Sequence, residues 1–349
     1  MQEIKIGNKL IGSGQPCFII AEAGVNHNGN LDLAFKLVDE AKKAGADCVK
    51  FQTFYAENIE SKNAVKPDYF QGRDNNLSKM EFMKSLELKP DEFSKLKDYC
   101  DKKDIIFMSS LCDPKSFEVL TNIKVSAFKI GAPDSLNVPL LRSATKTGIP
   151  ILLSTGITNI QDIEFVVNDI KTHGNSEIAL FQCTSQYPAP YGEINLKVIE
   201  FLKEKFDCPV GLSDHSEGIF IPVAGVAMGA NMIEKHFTLS RNLPGVDQPA
   251  SIEPQELKEM VYNIRKTEEA IGKKEKSIQP SEKEHLISMR KSLVAAKKIG
   301  ENYLVQETDI LVKRPGNGIS PTEIDKLIGK RTKKPIEQDD LFSWDQFYE

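Results

Sequence analysis

Eight short apolar runs recur along the first 236 residues, each followed by a polar loop and mostly by an amphipathic helix. They span 17–21, 48–52, 105–109, 127–130, 151–154, 178–182, 209–213 and 232–236. Runs this short and this apolar are what strands buried on both faces of a parallel sheet require. Between them, residues 31–44 place Ala34, Leu37, Val38 and Ala41 on one helical face. Residues 90–103 do the same with Phe93, Leu96 and Cys100, and Pro90 suits a first turn. Residues 160–170 do so with Ile163, Val166, Val167 and Ile170. Eight strands alternating with helices predict the α/β class and, at that number, a closed (β/α)8 (TIM) barrel. An open doubly wound sheet is the alternative, but no G-x-G-x-x-G follows the first run.

The flanking stretches set the domain plan. Residues 1–15 alternate Ile4 and Ile6 and then turn at Gly7-Asn8, which predicts a hairpin plugging or capping the barrel. The polar insert at 55–77 is expected to be a mobile loop over one mouth. After a helix over 254–271 the rhythm stops, and the charged stretch 272–283 has no pattern, as a linker would. A chain of 349 residues exceeds what one core usually organises. The expected division is a barrel domain over 1–271, a linker over 272–286, and a small domain with little helix over 287–349.

With 40% apolar and 27% charged residues and a net charge of −5, nothing suggests a nucleic-acid or membrane partner. An anionic substrate would then need a local basic pocket. No apolar run approaches the length of a membrane span, and the N-terminus lacks the basic-then-apolar order of a signal peptide. The six cysteines are scattered without C-x-x-C spacing, which reads as buried thiols of a cytoplasmic protein.

In a parallel barrel the chemistry sits at the C-terminal ends of the strands. Those ends carry Glu22 and the loop Asn26-His27-Asn28-Gly29, Lys50 with Gln52, Ser109-Ser110, Lys129, Ser154-Thr155-Gly156, Thr184-Ser185, Ser213 with His215, and His236. Two lysines, several hydroxyls and a glycine turn make a cradle for a phosphate and a carboxylate. The stretch 210–237 places His215 and His236 each just past a strand, with one helix between them. Adjacent parallel strands end side by side, so two imidazoles so placed converge, and neutral imidazole binds divalent metals. Taken singly, each histidine reads as structural; their matched placement argues for a shared cation. His27 reads as ordering its own loop and His173 as a surface residue. Glu22 is a candidate general base towards water.

Longer motifs then point to a family. EAGVNHNG (22–29), GADCVKFQTF (45–54), FKIGA (128–132), ILLSTG (151–156), CTSQYPAP (183–190), GLSDHSEG (211–218), EKHFTL (234–239) and VKRPGNGIS (312–320) together resemble the sialic acid synthases. These enzymes condense phosphoenolpyruvate with an N-acylated mannosamine-type sugar. The resemblance covers nearly the whole chain. It implies a barrel followed by a small antifreeze-like (SAF) domain, and a homodimer in which that domain covers the partner's active site. It also implies metal ligation by His215 and His236, with manganese, magnesium or cobalt suited to two imidazoles plus substrate oxygens. Phosphoenolpyruvate contacts are implied for Lys50, Ser110, Lys129, Ser154, Ser185 and Ser213, and sugar contacts for Gln52, Tyr187 and Asp247. Arg314 matches an arginine that reaches across from the partner, and Glu22 the carboxylate that handles water.

Three departures stand out. Ala132-Pro133 replaces a usual serine and glycine, Ser109-Ser110-Leu111-Cys112 replaces Ser-Thr-Pro-Phe, and PGVDQPAS (244–251) replaces a PGPD motif. The first removes one hydroxyl from the phosphate cradle. Other readings of the same residues are a Schiff-base aldolase using Lys129 or Lys235, a 3-deoxy sugar acid synthase acting on a phosphorylated sugar, and a non-catalytic scaffold. A phosphorylated sugar would need a further cationic site, and none is evident.

Overall fold

The computed structural model describes residues 3–61, 63, 64 and 78–348, and the chain divides into two compact units, 1–272 and 273–349. In the first unit, β1 (Ile4–Ile6) and β2 (Lys9–Ile11) form an antiparallel hairpin. Eight parallel strands follow: β3 (Phe18–Gly24), β4 (Cys48–Thr53), β5 (Ile106–Leu111), β6 (Phe128–Ile130), β7 (Ile151–Ser154), β8 (Ile178–Cys183), β9 (Val210–Asp214) and β10 (Met232–His236). They pair in sequence order, and β10 closes on β3 to complete the barrel.

Each strand sits within a few residues of its predicted run. The faces predicted for the helices Leu31–Ala44, Pro90–Lys102 and Ile160–Thr172 are the buried ones, packed against the outside of the barrel. Asn30 caps the first of these through the Leu33 N–H, and Gly45 ends it in the left-handed region.

Side chains alternate between the two faces of a strand, so the barrel interior is built in layers. The lower layer is apolar: Ile20, Cys48, Met108, Ala127, Leu152, Phe181 and Met232 cluster with Ile4, Ile6 and Ile11 of the hairpin. The hairpin therefore closes the N-terminal end with three isoleucines, as a plug. Two residues further along each strand the interior becomes polar. That second layer holds Glu22, Lys50, Ser110, Lys129, Ser154, Ser213 and Glu234, all buried.

Two expectations need revision. The insert expected as one loop opens with a helical turn, Ala56–Ile59; positions 62 and 65–77 lie outside the described residues, and a capped helix, Lys79–Ser85, follows them. The stretch expected as a structureless linker ends in a helical turn, Pro280–Lys283, because Pro280 starts it and Glu282 returns to the Gln279 N–H. The second unit pairs β11 (Ser292–Ala295) with β12 (Ile310–Lys313) and buries Leu293, Val305, Leu327 and Phe342 among its turns. No helix among the described residues is long and apolar enough to cross a membrane.

The plug makes a measurable contribution. Ile6 is fully buried, so Ile6→Ala should lower unfolding stability by about 2–5 kcal/mol, read from denaturant melts.

Candidate active site

The barrel residues assigned a catalytic, metal or substrate contact, Glu22, Lys50, Gln52, Ser110, Lys129, Ser154, Ser185, Tyr187, Ser213, His215, His236 and Asp247, all line one cavity of about 1130 Å³ at the C-terminal ends of the strands, whereas Asn26, His27, Ser109, Thr155 and Thr184 do not. Arg314 belongs to the second unit, where it is exposed just after β12.

The floor of the cavity is a buried charge network drawn from neighbouring strands. Lys50 Nζ lies 2.9 Å from Glu22 Oε1 and 3.8 Å from Glu234 Oε2. Lys129 Nζ lies 3.5 Å from Glu234 Oε1. Hydroxyls close the circuit: Lys50 donates to Ser110 Oγ at 3.0 Å, Lys129 donates to Ser154 Oγ at 2.7 Å, and Ser213 donates to Glu234 Oε1 at 3.0 Å. Burial raises Glu22 to about 7 against the pull of Lys50. Burial also opposes ionisation of Glu234, but Lys129 and Lys50 outweigh it and hold that carboxyl well below the usual range. Burial lowers Lys129 below an ordinary lysine, whereas Lys50, equally buried, is raised by its two carboxylates. One carboxylate of the pair is thus firmly anionic, and the other sits poised near neutrality.

Glu234 was not among the residues predicted. Its position two before His236 on one strand puts both on the inner face, and that period-2 signal was there to be read. Lys235, between them, faces the other way. It is 1% exposed, 2.6 Å from Asp214 Oδ2, and bonded to the Ser216 carbonyl outside the cavity. This orientation removes it as a Schiff-base nucleophile.

Above the charged floor stand the two histidines, with ring centroids 5.5 Å apart. His215 Nδ1 is 2.9 Å from the Thr184 carbonyl, which fixes its proton there and leaves Nε2 with a lone pair. His236 Nδ1 is buried without a hydrogen bond, 3.8 Å from Asp247 Oδ2. Burial, the largest cause, keeps His236 well below its usual pKa, hence neutral. Two rings that share one ion at about 2.1 Å per nitrogen have centroids within roughly 6.5 Å of each other. The observed pair satisfies that limit, and the donors fit a divalent cation. Among the described residues no group of three His, Cys, Asp or Glu side chains forms a metal cluster, so such an ion would draw its other ligands from water or substrate.

Tyr187 packs against the pair, its ring tilted 41° to His215 at 4.2 Å and edge-on to His236 at 5.7 Å between centroids. Gln52 donates to Glu22 Oε1 at 3.3 Å. Gly24, at φ +51°, lets these groups converge: a Cβ there would come within 3.3 Å of Asp247 Oδ2, 3.4 Å of Glu22 Oε1 and 3.5 Å of Gln52 Nε2. Gly156 clears the other side, where a Cβ would fall 2.2 Å from Ser185 Oγ and 3.0 Å from Ala132 Cβ. Ala132 therefore adjoins the hydroxyl cradle without adding to it. Cys183 and Asp134, also not predicted, complete the lining. His27 behaves as expected, its Nδ1 accepting from the Gly29 N–H at 3.0 Å within its own loop.

Comparison with known proteins identifies the family. The sequence model of the NeuB family matches residues 37–276, and that of the SAF domain matches residues 290–347. The chain is 41% identical over 326 residues to the N,N'-diacetyllegionaminic acid synthase of Campylobacter jejuni, covering 93% of this chain and 98% of that one. The synthase of the same name from Legionella pneumophila is 38% identical over 344 residues, covering 97% of each chain. A crystal structure of N-acetylneuraminic acid (sialic acid) synthetase from Leptospira borgpetersenii superposes with a TM-score of 0.72 at 37% identity, covering 81% of this chain and 95% of that one. A polar-lined (β/α)8 barrel of this kind, carrying a C-terminal SAF domain, is a synthase fold. The chain belongs to the NeuB family of sialic acid and related nonulosonic acid synthases.

The network also sets a stability test. Lys50→Met strands the buried Glu22 carboxylate, leaves Glu234 with Lys129 alone and should cost about 3–5 kcal/mol, whereas breaking the exposed Lys43–Glu40 pair should leave stability almost unchanged. The Lys50→Met loss should be larger at pH 8 than at pH 5. Glu22 is already raised in the folded chain, and without Lys50 it takes up a proton more readily than in the unfolded chain.

Proposed function

We propose that this chain condenses phosphoenolpyruvate with an N-acylated mannosamine-type sugar and water, giving a nonulosonic acid and inorganic phosphate. The sugar is N-acetylmannosamine or a 2,4-diacetamido-6-deoxy relative. The observation that carries this reading is the juxtaposition in one cavity of a two-lysine, multi-serine cradle with two neutral-capable imidazoles and a poised carboxyl. The names of the relatives support it.

Lys50 and Lys129 neutralise the phosphate and carboxylate of the enolpyruvate, with Ser110, Ser154, Ser185 and Ser213 as hydrogen-bond partners. Gln52, Tyr187 and Asp247 hold the open-chain sugar so that its aldehyde carbon faces C3 of the enol. His215 and His236 would hold the divalent ion, manganese foremost, which supplies Lewis-acid polarisation of that aldehyde. C3 bonds to the aldehyde carbon, and positive charge develops at C2 of the enolpyruvate. Water adds at C2 and gives its proton to the Glu22 carboxylate, which Lys50 holds in place. The C2–O bond to phosphate then breaks as the C2 hydroxyl loses its proton and becomes the ketone, so that of the water's two protons one ends on the departing phosphate and the other, by way of Glu22, on the former aldehyde oxygen. Fixed charges on the floor stabilise each developing charge without reorganising. Arg314 from a second copy of the chain, and a cytoplasmic location, belong to the same proposal.

Phosphate release assayed with phosphoenolpyruvate and each amino sugar tests the reaction; no release with any of them ends it. His215→Ala and His236→Ala should each abolish turnover, and added manganese should not restore it. Manganese binding, read by electron paramagnetic resonance of the protein alone, should fall with either change. Glu22 must be ionised to take the water's proton, and its pKa stands at about 7. The kcat/KM profile should therefore fall as pH drops below about 7, and this acid limb should vanish with the residual activity of Glu22→Gln.

A further inference from the structure

One side of the cavity is not polar. Val25, Phe54, Ile59, Met83, Leu86 and Val246 form a contiguous apolar cluster, and all six line the cavity. Val25, Phe54 and Leu86 are 4–5% exposed, so they make a packed wall rather than a fringe of surface side chains. The wall has a fixed relation to the polar groups through the chain itself. Val25 follows Gly24, around which Glu22, Gln52 and Asp247 converge; Phe54 comes two residues after Gln52; Val246 immediately precedes Asp247. Each segment thus sets a polar group near the reacting centre and an apolar one further out.

Among the described residues, the cations near this wall are already engaged. Lys79 Nζ lies 2.6 Å from Glu60 Oε1, and Arg241 Nη1 lies 2.5 Å from Glu256 Oε2. A substrate bearing a second phosphate would meet hydrocarbon flanked by neutralised charges, an unfavourable place for a dianion. A methyl group would lose only its contact with water there.

We propose that this wall reads the far end of the sugar and selects an acylated amino sugar ending in a methyl group over one ending in hydroxymethyl or phosphate. The proposal rests on the condensation reading above and adds the determinant of its specificity. With the aldehyde at the histidines and the middle hydroxyls at Gln52 and Asp247, the terminal carbon and any second acyl methyl lie against Val25, Phe54, Met83 and Leu86. Hydrophobic pockets discriminate modestly between a methyl and its hydroxylated counterpart, by about 10- to 100-fold. A buried, unpaired phosphate is rejected far more strongly.

The test compares kcat/KM, at saturating phosphoenolpyruvate, for 6-deoxy-N-acetylmannosamine, N-acetylmannosamine and N-acetylmannosamine 6-phosphate. The methyl-ended sugar should exceed the hydroxymethyl one by about tenfold or more, and the phosphate should fall at least about a hundredfold below the methyl sugar. Leu86→Ser should bring the methyl-to-hydroxymethyl ratio towards one while leaving the KM for phosphoenolpyruvate unchanged. Turnover without preference, or preference for the phosphate, overturns the role of the wall and leaves the condensation intact. Turnover with none of the three, nor with a 2,4-diacetamido-6-deoxy sugar, overturns both. Should Leu86→Ser fail to fold, the three-sugar comparison on the unaltered chain decides.

Discussion

Four ionisable side chains from four strands of the barrel, Glu22, Lys50, Lys129 and Glu234, are buried beside one another, and the cavity exists because they balance. An isolated ion taken from water into a low-dielectric interior costs of order 20 kcal/mol in the idealised limit, far more than any single side chain can recover. Two cations facing two carboxylates reduce that cost to a tolerable one, and Ser110, Ser154 and Ser213 add one hydrogen bond each, while Glu22 Oε2 and Glu234 Oε2 have no hydrogen-bond partner. The balance is not symmetric. Glu234 touches both lysines and stays charged, whereas Glu22 has only Lys50 and Gln52 and rises towards neutrality. An arriving dianion would displace the carboxylates as partners of the lysines and alter Glu22 in the same event.

Strand alternation separates chemistry from architecture within single tripeptides. Glu234 and His236 face the cavity while Lys235, between them, ties β10 to Asp214 of β9 on the outside. Ser213 and Asp214 divide their tasks in the same way. Placement of the reactive groups therefore inherits its precision from the sheet ladder rather than from mobile loops. A one-residue slip would exchange the two sets entirely.

Much of this was legible in the sequence, and for identifiable reasons. Buried parallel strands announce themselves as short apolar runs, and the residue ending each run must lie at the mouth, which located Lys50, Ser110, Lys129, Ser154, Ser213, His215 and His236 together. Glu234 escaped because attention to strand ends overlooked the inward position one step earlier. Gly24 and Gly156 escaped because a glycine's service to a site is the absence of atoms, visible only once neighbours such as Ser185 and Asp247 are in place. The apolar wall was hidden for another reason. Met83 and Leu86 belong to a short helix and its cap just beyond the polar insert, a stretch with no sequence expectation of its own, and only tertiary contact with Val25 and Phe54 gives them meaning. Residues 273–349 carry their core on turns and two four-residue strands, where periodicity has little to act on.

The isoleucine hairpin beneath the barrel turns its interior into a cul-de-sac. Among the described residues the cavity opens at the C-terminal ends of the strands, and the lysine floor lies deeper, Lys50 standing two residues before Gln52 along β4. Whatever occupies the floor must arrive before the outer guest and depart after it, so the architecture itself dictates the sequence of arrivals and exits.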